Sequence, residues 1–166
     1  MEVQILSLIV ALLAVIVGPY VTYLITKKNL EFQFRTLIQE KWVTKLEDAA
    51  HSFLNSSSEW ISKYPMLQDG SWEVKEPNKE IDRMLDSINS SIIKLEFLLD
   101  IEKENQALIL EKVASMTSII HSKVYDENSL STLRKNHDTI ISMLQKIFHE
   151  ERTKMAKVFR KVNKRK

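Results

Sequence analysis

Hydrophobic positions divide the chain into two patterns: one unbroken apolar run, and then a long stretch in which apolar residues recur every three or four places. Between Glu2 and Lys27 lie 24 uncharged residues, fourteen of them Val, Ile or Leu. As a helix at ~1.5 Å per residue this run is roughly 36 Å long, enough for a hydrocarbon core of ~30 Å with some tilt. On an insertion scale the fourteen large residues favour the bilayer by about 4 to 8 kcal/mol before polar residues subtract. The pattern therefore predicts a transmembrane helix over Val3 to Thr26. A cleaved leader is disfavoured, because the segment before the run carries Glu2 and no base, and no A-x-A-like site follows.

After the run the period changes. No Pro or Gly occurs from Tyr20 to Tyr64, and apolar residues recur at Leu30, Phe34, Ile38, Trp42, Leu46, Ala49, Phe53, Trp60 and Tyr64. That spacing predicts the membrane helix continuing straight into a cytoplasmic domain with this stripe inward. Pro65 to Pro77, with Asp69-Gly70 and Glu76-Pro77, reads as a loop. A second helix is expected from near Asn78, burying Ile81, Met84, Leu85, Ile88, Ile92, Leu95 and Leu99. Asp100 is a candidate cap for a third, reaching about Tyr125 with Leu108, Val113, Thr117, Ile120 and Val124 inward. Asn128 or Ser129 can cap a fourth, whose inward face is Leu130, Leu133, His137, Ile140, Ile141, Leu144, Ile147, Phe148, Met155 and Phe159. The expected fold is all-α: one N-terminal transmembrane helix continuing into an antiparallel cytoplasmic bundle of about four helices. Residues 1–28 are the anchor, 29–151 the bundle and 152–166 a basic C-terminal segment.

Composition supports helices. The chain has 166 residues, two glycines and three prolines, far below the usage of a strand-and-turn fold. With no cysteine, disulfides, thiolate metal sites and cysteine nucleophiles are excluded.

Charge adds an orientation and an asymmetry. Lys27, Lys28 and Arg35 follow the span and no base precedes it, so the C-terminal domain is expected on the cytoplasmic side of the inner membrane, with the N-terminus outside. Tyr20 and Tyr23 suit the inner interface. The net charge is +2, yet eight bases and no acid lie between Arg152 and Lys166, leaving −6 on the rest. Four helices with short connections return the last one to the membrane side, which places Lys157, Arg160, Lys161, Lys164, Arg165 and Lys166 near Lys27 and Lys28. Anionic lipid is the first candidate partner for these bases, at ~1 kcal/mol per residue near the surface. A solvated tail and a phosphate-rich ligand or nucleic acid are the alternatives.

Small and polar residues in the span share a face. Gln4, Ser7, Ala11, Ala14, Gly18 and Thr22 are spaced 3, 4, 3, 4 and 4. Such a stripe lets helix backbones approach and hydrogen-bond in lipid, which points to a homo-oligomer; around a common axis it could also line a narrow pore. An ordinary helix that happens to use small residues is the plain alternative. Pro19 after Gly18 removes a backbone hydrogen bond to Val15 and marks a candidate hinge.

Catalytic chemistry is not indicated. His51, His121, His137 and His149 are dispersed, with none three or four residues from another. No glycine-rich phosphate loop, G-x-S-x-G or H-E-x-x-H is present. No enzyme activity, metal or cofactor is expected.

A span followed by EKWVTKLEDAAHSF (40–53), IIKLEFLLDIEKENQALILEKV (92–113) and IISMLQKIFHEERTKMAKVF (140–159) resembles, in layout, small prokaryotic single-span proteins with a cytoplasmic helical domain. Among these it is similar to Hailong-type membrane effectors of bacterial anti-phage systems. The resemblance implies an oligomeric channel controlled by a nucleotide or oligonucleotide signal, in partnership with a soluble protein. No motif matches residue by residue, so it assigns no site residues. The plain alternative is a non-conducting anchor that recruits a soluble partner.

Overall fold

A computed structural model describes residues 2–122 and 126–163, with side chains over 15–122 and 126–157. Four α-helices make up these residues, with no strand among them: α1 Glu2–Gln68, α2 Pro77–Leu98, α3 Glu104–Ser122 and α4 Glu127–Asn163. They fall into two compact units, Met1–Lys41 and Trp42–Lys166. The second unit is the bundle. Among the described residues no helix is long and apolar enough to cross a membrane. The expected span falls partly outside the described side chains, which begin at Val15.

Pairings along the second unit make its neighbouring helices antiparallel. Trp42 Nε1 donates to the Leu98 carbonyl at 2.9 Å, Ser56 and Ser87 share a hydrogen bond of 2.7 Å, and Arg83 donates to Glu59 at 2.7 Å, so α1 and α2 run in opposite directions. Asn136 donates to Ser115 between α4 and α3 at 3.2 Å. His137 Nε2 donates to the Leu54 carbonyl at 3.3 Å, and Arg152 pairs with Glu47, which sets α4 antiparallel to α1.

The core runs down the bundle axis from Leu46, Phe53 and Trp60 on α1 to Met84, Ile88 and Leu95 on α2, Ile109, Met116 and Ile120 on α3, and Leu133, Ile140 and Leu144 on α4. Trp60 stacks on Tyr64 with centroids 4.4 Å apart. Polar groups inside are satisfied locally: Ser57 donates to the Phe53 carbonyl and Ser91 to that of Ile88, each at 2.7 Å. No buried side-chain N or O lacks a partner among the described residues.

Several expected boundaries and faces are corrected. Helix α1 does not stop at Pro65 but runs through it to Gln68. Pro65 contributes no N–H, but Tyr64 is buried and Leu67 packs against the core, and that apolar packing carries the helix one turn further. The chain then leaves the helix through Gly70, whose φ of 76° is the left-handed conformation that glycine adopts without a Cβ clash. Helix α2 begins at Pro77, a first-turn proline whose missing donor costs nothing there. Asp100 does not cap α3: its carboxylate accepts from Glu102 N at 3.0 Å, while Gln106 Oε1 accepts from Asp100 N at 2.7 Å. Nor do Asn128 or Ser129 cap α4. Asp126 does, accepting from Ser129 N at 2.7 Å, and the Ser129 hydroxyl first, then this backbone bond, hold its carboxyl below the ordinary value.

Two inward faces also shift. On α3 the buried residues are Gln106, Ile109, Val113, Met116 and Ile120, while Leu108 is exposed and Thr117 half-buried. Val124 and Phe159 lie outside the described side chains. On α1, Leu30, Phe34 and Ile38 are not inward; burial begins at Val43 and Leu46.

An ion cluster joins the distal turns of α1 and α2. Glu59 accepts from Lys63 at 2.6 Å and from Arg83 at 2.7 Å, and Arg83 also donates to Glu80 at 2.7 Å. Hydrogen bonds from Lys63 and then Arg83 hold the Glu59 carboxyl below its ordinary 4.5, against a smaller opposing effect of burial. A depressed folded-state pKa gives stability that is present above the ordinary value and lost as pH falls through the folded one. The melting temperature of the bundle should therefore fall on acidification below pH 4.5 more steeply than that of Glu59→Gln, which a pair of melting-temperature-versus-pH curves checks.

Candidate interaction surfaces

Helix α1 supplies the first surface. In the first unit the described large side chains Val15, Ile16, Val17, Tyr20, Val21, Tyr23, Leu24 and Ile25 are all exposed, and they cover every side of the helix but that of Gly18 and Thr22. An element apolar all round is stable only where something else surrounds it. Of the expected oligomer or pore face, Gln4, Ser7, Ala11 and Ala14 lie outside the described side chains. Gly18 and Thr22 are exposed, one turn apart, and Thr22 Oγ1 donates to the Gly18 carbonyl at 2.9 Å. A Cβ at Gly18 would meet nothing within 4 Å, so this position is open. At the expected hinge the helix continues through Gly18 and Pro19.

The same helix carries a second apolar stripe after Ile25. Leu30, Phe34, Leu37 and Ile38 are 60%, 65%, 48% and 52% exposed. Lys27, Lys28 and Arg35 beside them are exposed as well.

Basic residues at the C-terminal end are only partly within view. The Arg152–Glu47 pair brings this part of α4 back beside the first turns of the second unit. Lys154 pairs with Glu151, which raises its pKa. Lys157 is exposed. Arg160 and Lys161 lie outside the described side chains, and Lys164, Arg165 and Lys166 outside the described residues.

A third surface was not anticipated from the sequence. Phe97 is 86% exposed and Ile101 74%, with exposed Ile93 one turn before Phe97. All three lie at the end of the bundle where Trp42 enters, since Trp42 bonds to Leu98 and the Lys103 ammonium lies 6.0 Å from its ring centroid. Exposed apolar side chains grouped in this way mark interaction sites more often than chance. In the sequence they sit in SIIKLEFLLDI, where apolar residues are so dense that several different inward faces can be drawn.

Nothing among the described residues gathers three or more His, Asp or Glu into a metal-holding group. His51 and His149 are exposed, His121 faces Asn89 at 3.2 Å, and His137 is half-buried against Leu54. The depressions on the bundle, one beside Lys135 and Asp138 and another beside Lys45, Asp48 and Lys94, are open and shallow. Compared with protein-family models, with curated proteins and with solved structures, the chain matches none.

Proposed function

We propose that this is a single-span membrane protein of the bacterial inner membrane that works as a homo-oligomeric effector, with its helical bundle as the cytoplasmic sensing or docking part. One observation carries the reading: the helix from Val15 to Ile25 exposes large apolar side chains on every side but that of Gly18 and Thr22, and it belongs to a run of 24 uncharged residues. Lipid and neighbouring copies together suit such a surface. Gln4, Ser7, Ala11, Ala14, Gly18 and Thr22 form the contact, and around an axis they form the wall of a narrow pore. The bases from Lys157 onward meet anionic headgroups or a phosphate-bearing signal. A role in anti-phage defence rests on the resemblance in layout alone.

Ala11→Leu with Ala14→Leu tests the pore. Two leucines fill the space through which the backbones approach, so membrane depolarisation in cells expressing the protein should be abolished. Unchanged depolarisation rules the pore out.

A second reading is favoured by Phe97 and Ile101: a non-conducting anchor whose bundle recruits a soluble partner through that patch. Exchanging residues 1–28 for an unrelated monomeric span separates the two, since recruitment survives the exchange and a pore does not.

A further inference from the structure

The stripe at Leu30, Phe34, Leu37 and Ile38 is out of step with the rest of α1. At ~100° per residue it lies roughly 120° in phase from the face of Leu46, Phe53, Trp60 and Tyr64 that the bundle buries. Apart from the half-buried Phe32 on the opposite side, polar residues fill the remainder of this segment: Gln33, Arg35, Thr36, Gln39 and Glu40 lie off the stripe. Lipid is a poor cover, because Phe34 and Leu37 come six and nine residues after Lys28, roughly 9 and 14 Å along a helix beyond the positive residues that end the span.

We infer that this stripe is a juxtamembrane seam where α1 packs in parallel, in register, against the same stripe of a second copy of the chain. The inference rests on the membrane reading above: single-span copies all point one way, so the stripe of one meets the stripe of another at the same height. Its spacing is that of a parallel coiled coil. Leu30 and Leu37 are seven residues apart with Phe34 between them, and Lys27 and Lys41, the next positions of the same repeat, close the seam at either end. The stripe lies about 140° in phase from the small-residue face of the span, so where both are used they join different neighbours.

The absence of native cysteine makes the test direct. Single-cysteine variants of the full-length protein in native membranes are oxidised mildly and run without reductant. Leu30→Cys, Phe34→Cys and Leu37→Cys should each give disulfide-linked dimers several-fold above Lys28→Cys, Phe32→Cys and Arg35→Cys, because parallel seam positions bring like residues within disulfide reach. Equal yields across the six, or none at positions 30, 34 and 37, overturn the seam. Ala11→Cys and Ala14→Cys serve as the independent reading of the span. Crosslinking there without crosslinking at the stem overturns the seam and leaves the proposed function standing; crosslinking at none of the positions overturns both.

Discussion

Trp60→Ala should remove about 3 to 5 kcal/mol of folding stability from the bundle. Trp60 is fully buried, is among the largest side chains of the core, and is stacked on Tyr64 at an interplanar angle of 13°. Truncation removes the transfer free energy of the indole, opens a cavity between α1 and its neighbours, and forfeits an aromatic pair worth about 0.5 to 1.5 kcal/mol beyond its area. Set against the ~5 to 15 kcal/mol that holds a typical domain together, that is a large share. The midpoint of urea unfolding, followed by circular dichroism on the full chain in mild detergent, reports it. Phe97→Ala is the internal control: a side chain 86% exposed has little packing to lose, and its midpoint should stay within ~0.5 kcal/mol of the parent. Equal losses at the two positions would mean the core has been misplaced.

Leu12→Arg combined with Ile16→Arg should take the protein out of the membrane. Each arginine near the middle of a span costs about 2.5 to 3.5 kcal/mol on the insertion scale, and the pair offsets most or all of the 4 to 8 kcal/mol that the apolar residues supply. The expected result is loss of the chain from carbonate-washed membranes, with Leu12→Ala and Ile16→Ala together retained. Arginine-substituted protein that stays in washed membranes contradicts a spanning helix over Val3 to Thr26. The comparison also separates the proposed span from any contact of the basic C-terminal segment with lipid headgroups, which carbonate would disrupt.

The helices were legible in the sequence where one stripe dominates. On α2, Met84, Ile88 and Leu95 keep a helical step, and all three are buried, as is Leu99 just past its end. On α4, Leu133, Ile140, Leu144 and Ile147 do the same. Where two apolar stripes overlap, periodicity gives the helix but not its inward face. Leu108 and Ile109 are adjacent, either could point inward, and the bundle took Ile109. On α1 the stripe changes phase between Ile38 and Val43, which a single period drawn from Leu30 to Tyr64 smooths over. That phase change falls at the boundary of the two compact units, between Lys41 and Trp42.

Local chemistry was less legible because several residues compete for each role. Asp126, Asn128 and Ser129 are all good caps, and only the geometry shows that Asp126 accepts from Ser129. Asp100 has a capping side chain but spends it on a turn two residues long, leaving Gln106 to fasten the start of α3. Proline at 65 reads as a break, yet the neighbouring Tyr64 and Leu67 bury enough apolar surface to hold the last turn together. Phe97 and Ile101 could not be told from core residues without the fold, since exposure of an apolar side chain has no local signature.

Oligomeric state in lipid nanodiscs is the most direct test of the central claim that this helix assembles as well as anchors. Full-length protein reconstituted at high lipid excess and counted by single-molecule photobleaching should show two or more copies per occupied disc, at a number that does not change as the protein-to-disc ratio is lowered. One copy per disc across the whole range contradicts the account, because neither a pore nor a juxtamembrane seam can form from a single chain.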